Sequence, residues 1–126
     1  MNRHTARETA FQVIFQMDMN DIDPITAIQQ FLETTDIDTF LQTLVEGVVS
    51  HKVNIDETIS SHLEKWTIDR IARVEKTILR IAVYEILFIE DIPESVSVNE
   101  AVELAKTFGD EDSSKFVNGV LSKILA

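Results

Sequence analysis

The stretch TIDRIARVEKTILRIAVYEILFI, residues 67–89, decides how this chain folds. It holds neither glycine nor proline, and its apolar residues recur at helical spacing. At 100° per residue, Ile68, Ile71, Ile78, Leu79, Ala82 and Ile86 share one arc about 100° wide. The spacing predicts one long helix, closed by Ile92-Pro93 because a residue before proline avoids the helical region. Glu75 lands in the middle of the apolar arc, where a carboxylate must be paired, protonated or turned towards a partner. Arg70, Arg73, Lys76 and Arg80 gather on another side, as a solvated stripe or as a surface for an anion.

Working outward, Ser97-Val98-Asn99-Glu100 reads as a capping box opening a sixth helix. Val98, Ala101, Val102, Ala105 and Phe108 follow on its inner stripe, and Gly109 serves as the C-cap. Asp112 or Ser113 starts a last helix with Phe116 or Val117, Val120, Leu121 and Ile124 inward. Towards the N-terminus, Lys65-Trp66-Thr67 is the joint before the long helix. A fourth helix covers about 54–63, and a third carries Phe40, Leu41, Leu44, Val45 and Val48 behind Asp36 or Asp38. Asp23-Pro24 starts a second, because Asp caps and Pro suits the first helical position. Thr5-Ala6-Arg7-Glu8 reads as a capping box for a first helix running to about Met19. About seven helices joined by short loops give an all-α fold. Two small packed bundles, 1–65 and 66–126, form one domain spanning 1–126.

Composition agrees. With three glycines and two prolines, the chain has little of the turn chemistry that a β-rich protein of 126 residues needs. It has no cysteine, hence no disulfide or thiolate zinc site. No apolar run approaches the ~20 residues that span a bilayer. MNRHTARETAFQ carries no apolar signal core, so a cytoplasmic protein is expected. The net charge of −11 opposes general polyanion binding, yet the distribution is uneven. Residues 8–51 hold eight acids and no Lys or Arg, whereas Arg3, His4 and Arg7 precede or open the first helix and five basic residues lie from Lys65 to Arg80.

Catalytic signatures are missing. Gly47, Gly109 and Gly119 are isolated, so there is no glycine-rich phosphate loop. His4, His51 and His62 lack metal-ligand spacing, and Asp110-Glu111-Asp112 lacks the alternation of a calcium loop. Neither an enzyme, a metal nor a cofactor is expected. Two constellations suit binding instead. Arg3, His4 and Arg7 are followed by Phe11 and Phe15; cations that track phosphates and rings that stack on bases suit single-stranded nucleic acid, although both rings also fit a core. Ser113-Ser114-Lys115-Phe116-Val117-Asn118-Gly119 places hydroxyls, a lysine and an aromatic where helix N–H groups can meet a phosphate. Gly119, costly inside a helix by roughly 1 kcal/mol against Ala, points to a close backbone approach, by a packed helix or by a ligand.

Several segments together resemble the NusB family of bacterial transcription antitermination factors. They are Ala6-Arg7-Glu8-Thr9-Ala10-Phe11-Gln12, Val74-Glu75-Lys76-Thr77-Ile78-Leu79-Arg80-Ile81-Ala82-Val83-Tyr84-Glu85, Ile92-Pro93, Asn99-Glu100-Ala101-Val102-Glu103-Leu104-Ala105-Lys106, and Lys115-Phe116-Val117-Asn118-Gly119-Val120-Leu121. The resemblance implies a factor that binds boxA RNA of ribosomal RNA leaders together with the ribosomal protein NusE. Through that complex it reaches further Nus factors and RNA polymerase. It assigns Arg3, His4, Arg7, Phe15, Asp112, Lys115 and Phe116 to the RNA face. Glu75 and its neighbours Lys76, Ile78 and Leu79 go to the protein-partner face. Two arginines are a sparse arm for this family, so cooperative assembly with NusE is expected. The competing reading is a helical protein–protein interaction module without RNA binding.

Overall fold

A computed structural model describes residues 1–18 and 21–126. Among them lie seven α-helices and one 3-10 turn, and no strand. The helices are α1 (Arg3–Met17), α2 (Pro24–Leu32), α3 (Thr39–Ser50), α4 (Lys52–Ser60), α5 (Arg73–Phe88), α6 (Glu94–Phe108) and α7 (Glu111–Leu125); the turn is Ile68–Arg70.

Caps account for most of the boundaries. Asp23 accepts the Thr26 N–H with Pro24 in the first turn, and Asp38, not Asp36, accepts from Leu41. Gly109 follows α6 as expected. Asn2, not Thr5, caps α1: its Oδ1 accepts the Thr5 N–H at 2.8 Å. The expected end near Met19 lies outside the described residues. Asp110, not Asp112 or Ser113, caps α7 by accepting the Ser113 N–H at 2.8 Å. Ser97 is no cap; α6 starts earlier, behind Pro93, and Ser97 sits buried inside it.

The long helix is shorter than its apolar period suggested. Residues 68–70 form the 3-10 turn, Ile71 and Ala72 are extended, and α5 begins at Arg73. Ile71 is buried all the same, which explains why the apolar spacing runs through a break in the helix.

α5 is the hub. α1, α3, α4, α6 and α7 all pack on it, while α2 packs on α1 and α3, and α6 pairs with α7. One continuous core runs through both halves of the sequence, including Ala10, Ile28, Leu44, Ile59, Ile78, Ile81, Leu104 and Leu121. Tyr84 of α5 lies against α3 where Gly47 has no side chain; a Cβ there would run into the tyrosine ring. Gly47 therefore permits the α3–α5 contact.

Candidate nucleic-acid and partner interface

The N-terminus of α1 is tied to α5 and α6 by a buried ionic cluster. The Arg7 Nε and Nη2 donate to both oxygens of Glu85 at 2.8 Å, and Nη1 donates to Glu100 at 3.3 Å. Ser97 Oγ donates to Glu85 Oε1 at 2.8 Å. Arg7 is 2% exposed and Glu85 1%. This corrects the assignment of Arg7 to the RNA face: two carboxylates use its guanidinium and the core encloses it, leaving no edge for a phosphate. Arg3 and His4 are exposed. The Arg3 guanidinium lies 4.6 Å from the centre of the Phe40 ring. His4 Nδ1 lies 2.9 Å from Glu100. That hydrogen bond, and then the charges of Glu100, Glu8 and Glu103, raise the His4 pKa against a small desolvation effect.

Further along α1, aromatic rings form a ladder. Phe108 stacks on Phe11 at 4.4 Å, Phe11 on Phe15 at 5.5 Å, and the Arg73 guanidinium closes the row 4.0 Å from the Phe15 ring. Arg73 Nη2 also donates to the Phe15 carbonyl at 2.8 Å. Phe15 is thus half-buried with one face covered by a cation, the geometry of a cation–π pair. The expected basic side of α5 divides. Arg80 is buried and donates to Asp56 at 2.8 and 2.9 Å, Arg73 covers Phe15, and Arg70 stays exposed in the 3-10 turn.

The start of α5 also lies against the start of α7. Glu75, Asp112 and Phe116 line one groove of about 290 Å³ with Trp66 and Arg70. Lys115 and Phe116 line a neighbouring one. Burial pushes the Glu75 carboxyl above its usual range; a hydrogen bond from Ser113 opposes this and the Asp110 charge adds to it. The carboxylate on the apolar arc thus has a hydroxyl beside it and, among the described residues, no cation partner. Its neighbours differ: Lys76 is half-buried, but Ile78 and Leu79 are 0% exposed. Neither isoleucine nor leucine there can meet a partner, because the helices around α5 cover them on every side.

The structure therefore gathers Phe15, Glu75, Asp112, Lys115 and Phe116 around the first turns of α5 and α7. Arg3 and His4 stand at the other end of α1, about 18 Å from Phe15 at 1.5 Å per residue. Sequence reasoning placed Arg70 and Arg73 on a basic side of the long helix without joining them to this surface, and it missed Trp66. A signal existed for Trp66: the one tryptophan of the chain sits beside a lysine at a joint, away from any apolar stripe.

Such a face, exposed Trp66 and half-buried Phe116 among cations that have no carboxylate partner within the described residues, on an all-helical scaffold, marks a helical interaction protein. The sequence model of the NusB family matches residues 4–126, and the chain belongs to that family. It is 64% identical, over the full length of both chains, to the transcription antitermination protein NusB of Oceanobacillus iheyensis. Its structure resembles that of T. maritima NusB with a TM-score of 0.88 at 36% identity, covering 98% of this chain and 90% of that one. It also resembles a chain in the crystal structure of antitermination factors NusB and NusE in complex with dsRNA. There the TM-score is 0.84 at 34% identity, covering 98% of this chain and 97% of that one. Among the described residues, no helix is long and apolar enough to cross a membrane.

Proposed function

We propose that this chain acts in the cytoplasm as a transcription antitermination factor that binds boxA RNA of ribosomal RNA leaders jointly with NusE. Through that pair it reaches further Nus factors and RNA polymerase. The role is one of binding, without catalysis, and the two halves act as one domain. The observation that carries the reading is the match, over nearly the whole chain, to a chain in the crystal structure of antitermination factors NusB and NusE in complex with dsRNA. The local chemistry supports it. Among the described residues, Lys115 and Arg70 are exposed without a carboxylate partner, Phe116 is half-exposed beside them, and Arg3 at the head of α1 has no carboxylate partner either. Glu75 holds a desolvated charge next to that surface, ready for a cation of the protein partner.

Two to four phosphates are neutralised by so few cations, which gives a log–log salt slope of roughly −1.5 to −3 on single strands. Tight binding then comes from linkage, each partner raising affinity for the other by the same factor. Gel-shift titration of boxA and scrambled RNA, with and without NusE, tests this. Preference for boxA and a gain in affinity with NusE are expected. Equal affinity for both RNAs would favour the module without an RNA role, and equal affinity with and without NusE would remove the linkage.

A further inference from the structure

Trp66 is 55% exposed and makes no ring contact within the described residues. It borders two adjoining grooves, both shared with Phe116. One is the groove that holds Glu75 and Asp112. The other, about 220 Å³, runs away from Glu75 and is lined by Lys65, Lys115 and Lys123. Three lysines of a chain with only eleven Lys and Arg residues thus stand around one aromatic pair.

The floor of this second groove is unusual. Gly119 lies mid-way along α7 and is exposed, and a Cβ built on it meets nothing within 4 Å. The expected close packing of a second helix is absent, so packing does not explain a residue that weakens the helix. A flat, side-chain-free floor beside two aromatic edges admits a planar ligand close to the helix backbone. The surrounding charge selects that ligand. Lys65 and Lys115 have no carboxylate partner among the described residues; Lys123 pairs with Glu64 at 2.9 Å on the rim. Cations around sequence-tolerant π-faces suit nucleotides better than an apolar peptide.

We infer that Trp66, Phe116 and the Gly119 floor, ringed by Lys65, Lys115 and Lys123, form a stacking subsite for one or two unpaired nucleotides flanking the RNA element bound by the main face. The inference rests on the RNA-binding reading above and extends it: Lys115 and Phe116 belong to both surfaces, so a strand crossing the first turn of α7 enters the second groove without a break. Recognition there is by stacking and phosphate attraction, hence tolerant of base identity. Glu64 opposes it by holding Lys123.

The test compares a boxA core RNA with the same core carrying three unpaired nucleotides at either end, using the full chain with NusE present. The wild type is expected to bind one of the extended RNAs at least about 5-fold more tightly than the core, the lower bound for one base on an aromatic ring. Trp66→Leu is expected to abolish that gain, so that core and extended RNAs bind alike; at an exposed position it leaves the fold intact. Glu64→Gln is expected to enlarge the gain by freeing Lys123. Since Trp66 is the sole tryptophan, its fluorescence reports the site directly: the extended RNA quenches it and the core does not. Core binding with no gain from either extension and no quenching overturns the subsite and leaves the main reading standing. Fluorescence that responds to NusE and not to RNA overturns it in favour of a protein contact. Failure of any boxA RNA to bind overturns both.

Discussion

Replacing Arg7 separates a structural cation from an RNA-binding one. Arg7→Ala deletes contacts of 2.8, 2.8 and 3.3 Å and leaves Glu85, 1% exposed, with the Ser97 hydroxyl as its one remaining donor among the described residues. Breaking a buried pair from one side costs about 3–5 kcal/mol, because the surviving charge has neither bulk water nor a countercharge. For a chain of 126 residues the unfolding entropy makes 1 kcal/mol worth about 4 °C, so Tm should fall by roughly 12–20 °C. That is a large part of the ~5–15 kcal/mol that holds a domain together. Arg7→Met with Glu85→Leu removes both charges and should recover more than half of the loss. Thermal melts by circular dichroism give the Tm values. RNA titrations over a salt series, well below the lowered Tm, give the slope. A buried guanidinium touches no phosphate, so the slope of the folded single variant should match the wild type. A Tm loss under about 4 °C, or a slope shallower by the ~0.7 that one phosphate on a single strand contributes, would refute the structural assignment.

The two helical glycines should respond to alanine with opposite signs. Gly119→Ala gains up to about 1 kcal/mol in helix propensity with no clash, whereas Gly47→Ala forces Tyr84 from its seat and costs about 1–3 kcal/mol; urea melts that shift both midpoints in one direction would contradict the packing described. Glu75→Gln should raise Tm at pH 7 while weakening NusE binding in calorimetry. Burial raises the folded carboxyl above 4.5, so its penalty grows as pH rises through that value and is complete above the folded pKa; an unchanged NusE affinity would remove Glu75 from the partner face. His4 has a raised pKa, so its contribution is full below 6.5 and disappears as pH climbs through the folded value. The stability difference between wild type and His4→Gln should therefore shrink between pH 5.5 and 8, and a difference that stays flat would show that the Glu100 contact does not stabilise the fold.

Local chemistry was legible wherever it was self-contained. Asp23-Pro24, Asp38 and Gly109 act through their own backbone neighbours, and the structure uses them as the sequence suggests. Ser97-Val98-Asn99-Glu100 shows where that logic stops. The same four letters suit a helix start or a helix interior, and a residue twelve positions away decides, because buried Glu85 needs the Ser97 hydroxyl. Arg7 failed for the same reason on a larger scale, since its partner is 78 residues distant. Apolar periodicity is equally blind to a break: Ile71 is buried whether it belongs to a helix or to an extended turn.

Net charge misleads until the pairs are known. Four of the eleven Lys and Arg residues, Arg7, Arg80, Lys106 and Lys123, have carboxylate partners among the described residues. Of the others, Lys65, Arg70, Arg73, Lys76 and Lys115 all lie on the joint before α5 or on the first turns of α5 and α7. Most of the 22 acids lie elsewhere. At physiological salt the screening length is about 8 Å, shorter than the ~22 Å length of a fifteen-residue helix. A phosphate at the first turn of α7 therefore responds to Lys115, Arg70 and Lys65, with the nearby Asp110, Glu111 and Asp112 against them, and hardly to the acids that flank α2 and α3. That is how a chain of charge −11 can offer a polyanion a landing site. It also makes the carboxylates beside the site, more than the total charge, the groups that set its affinity.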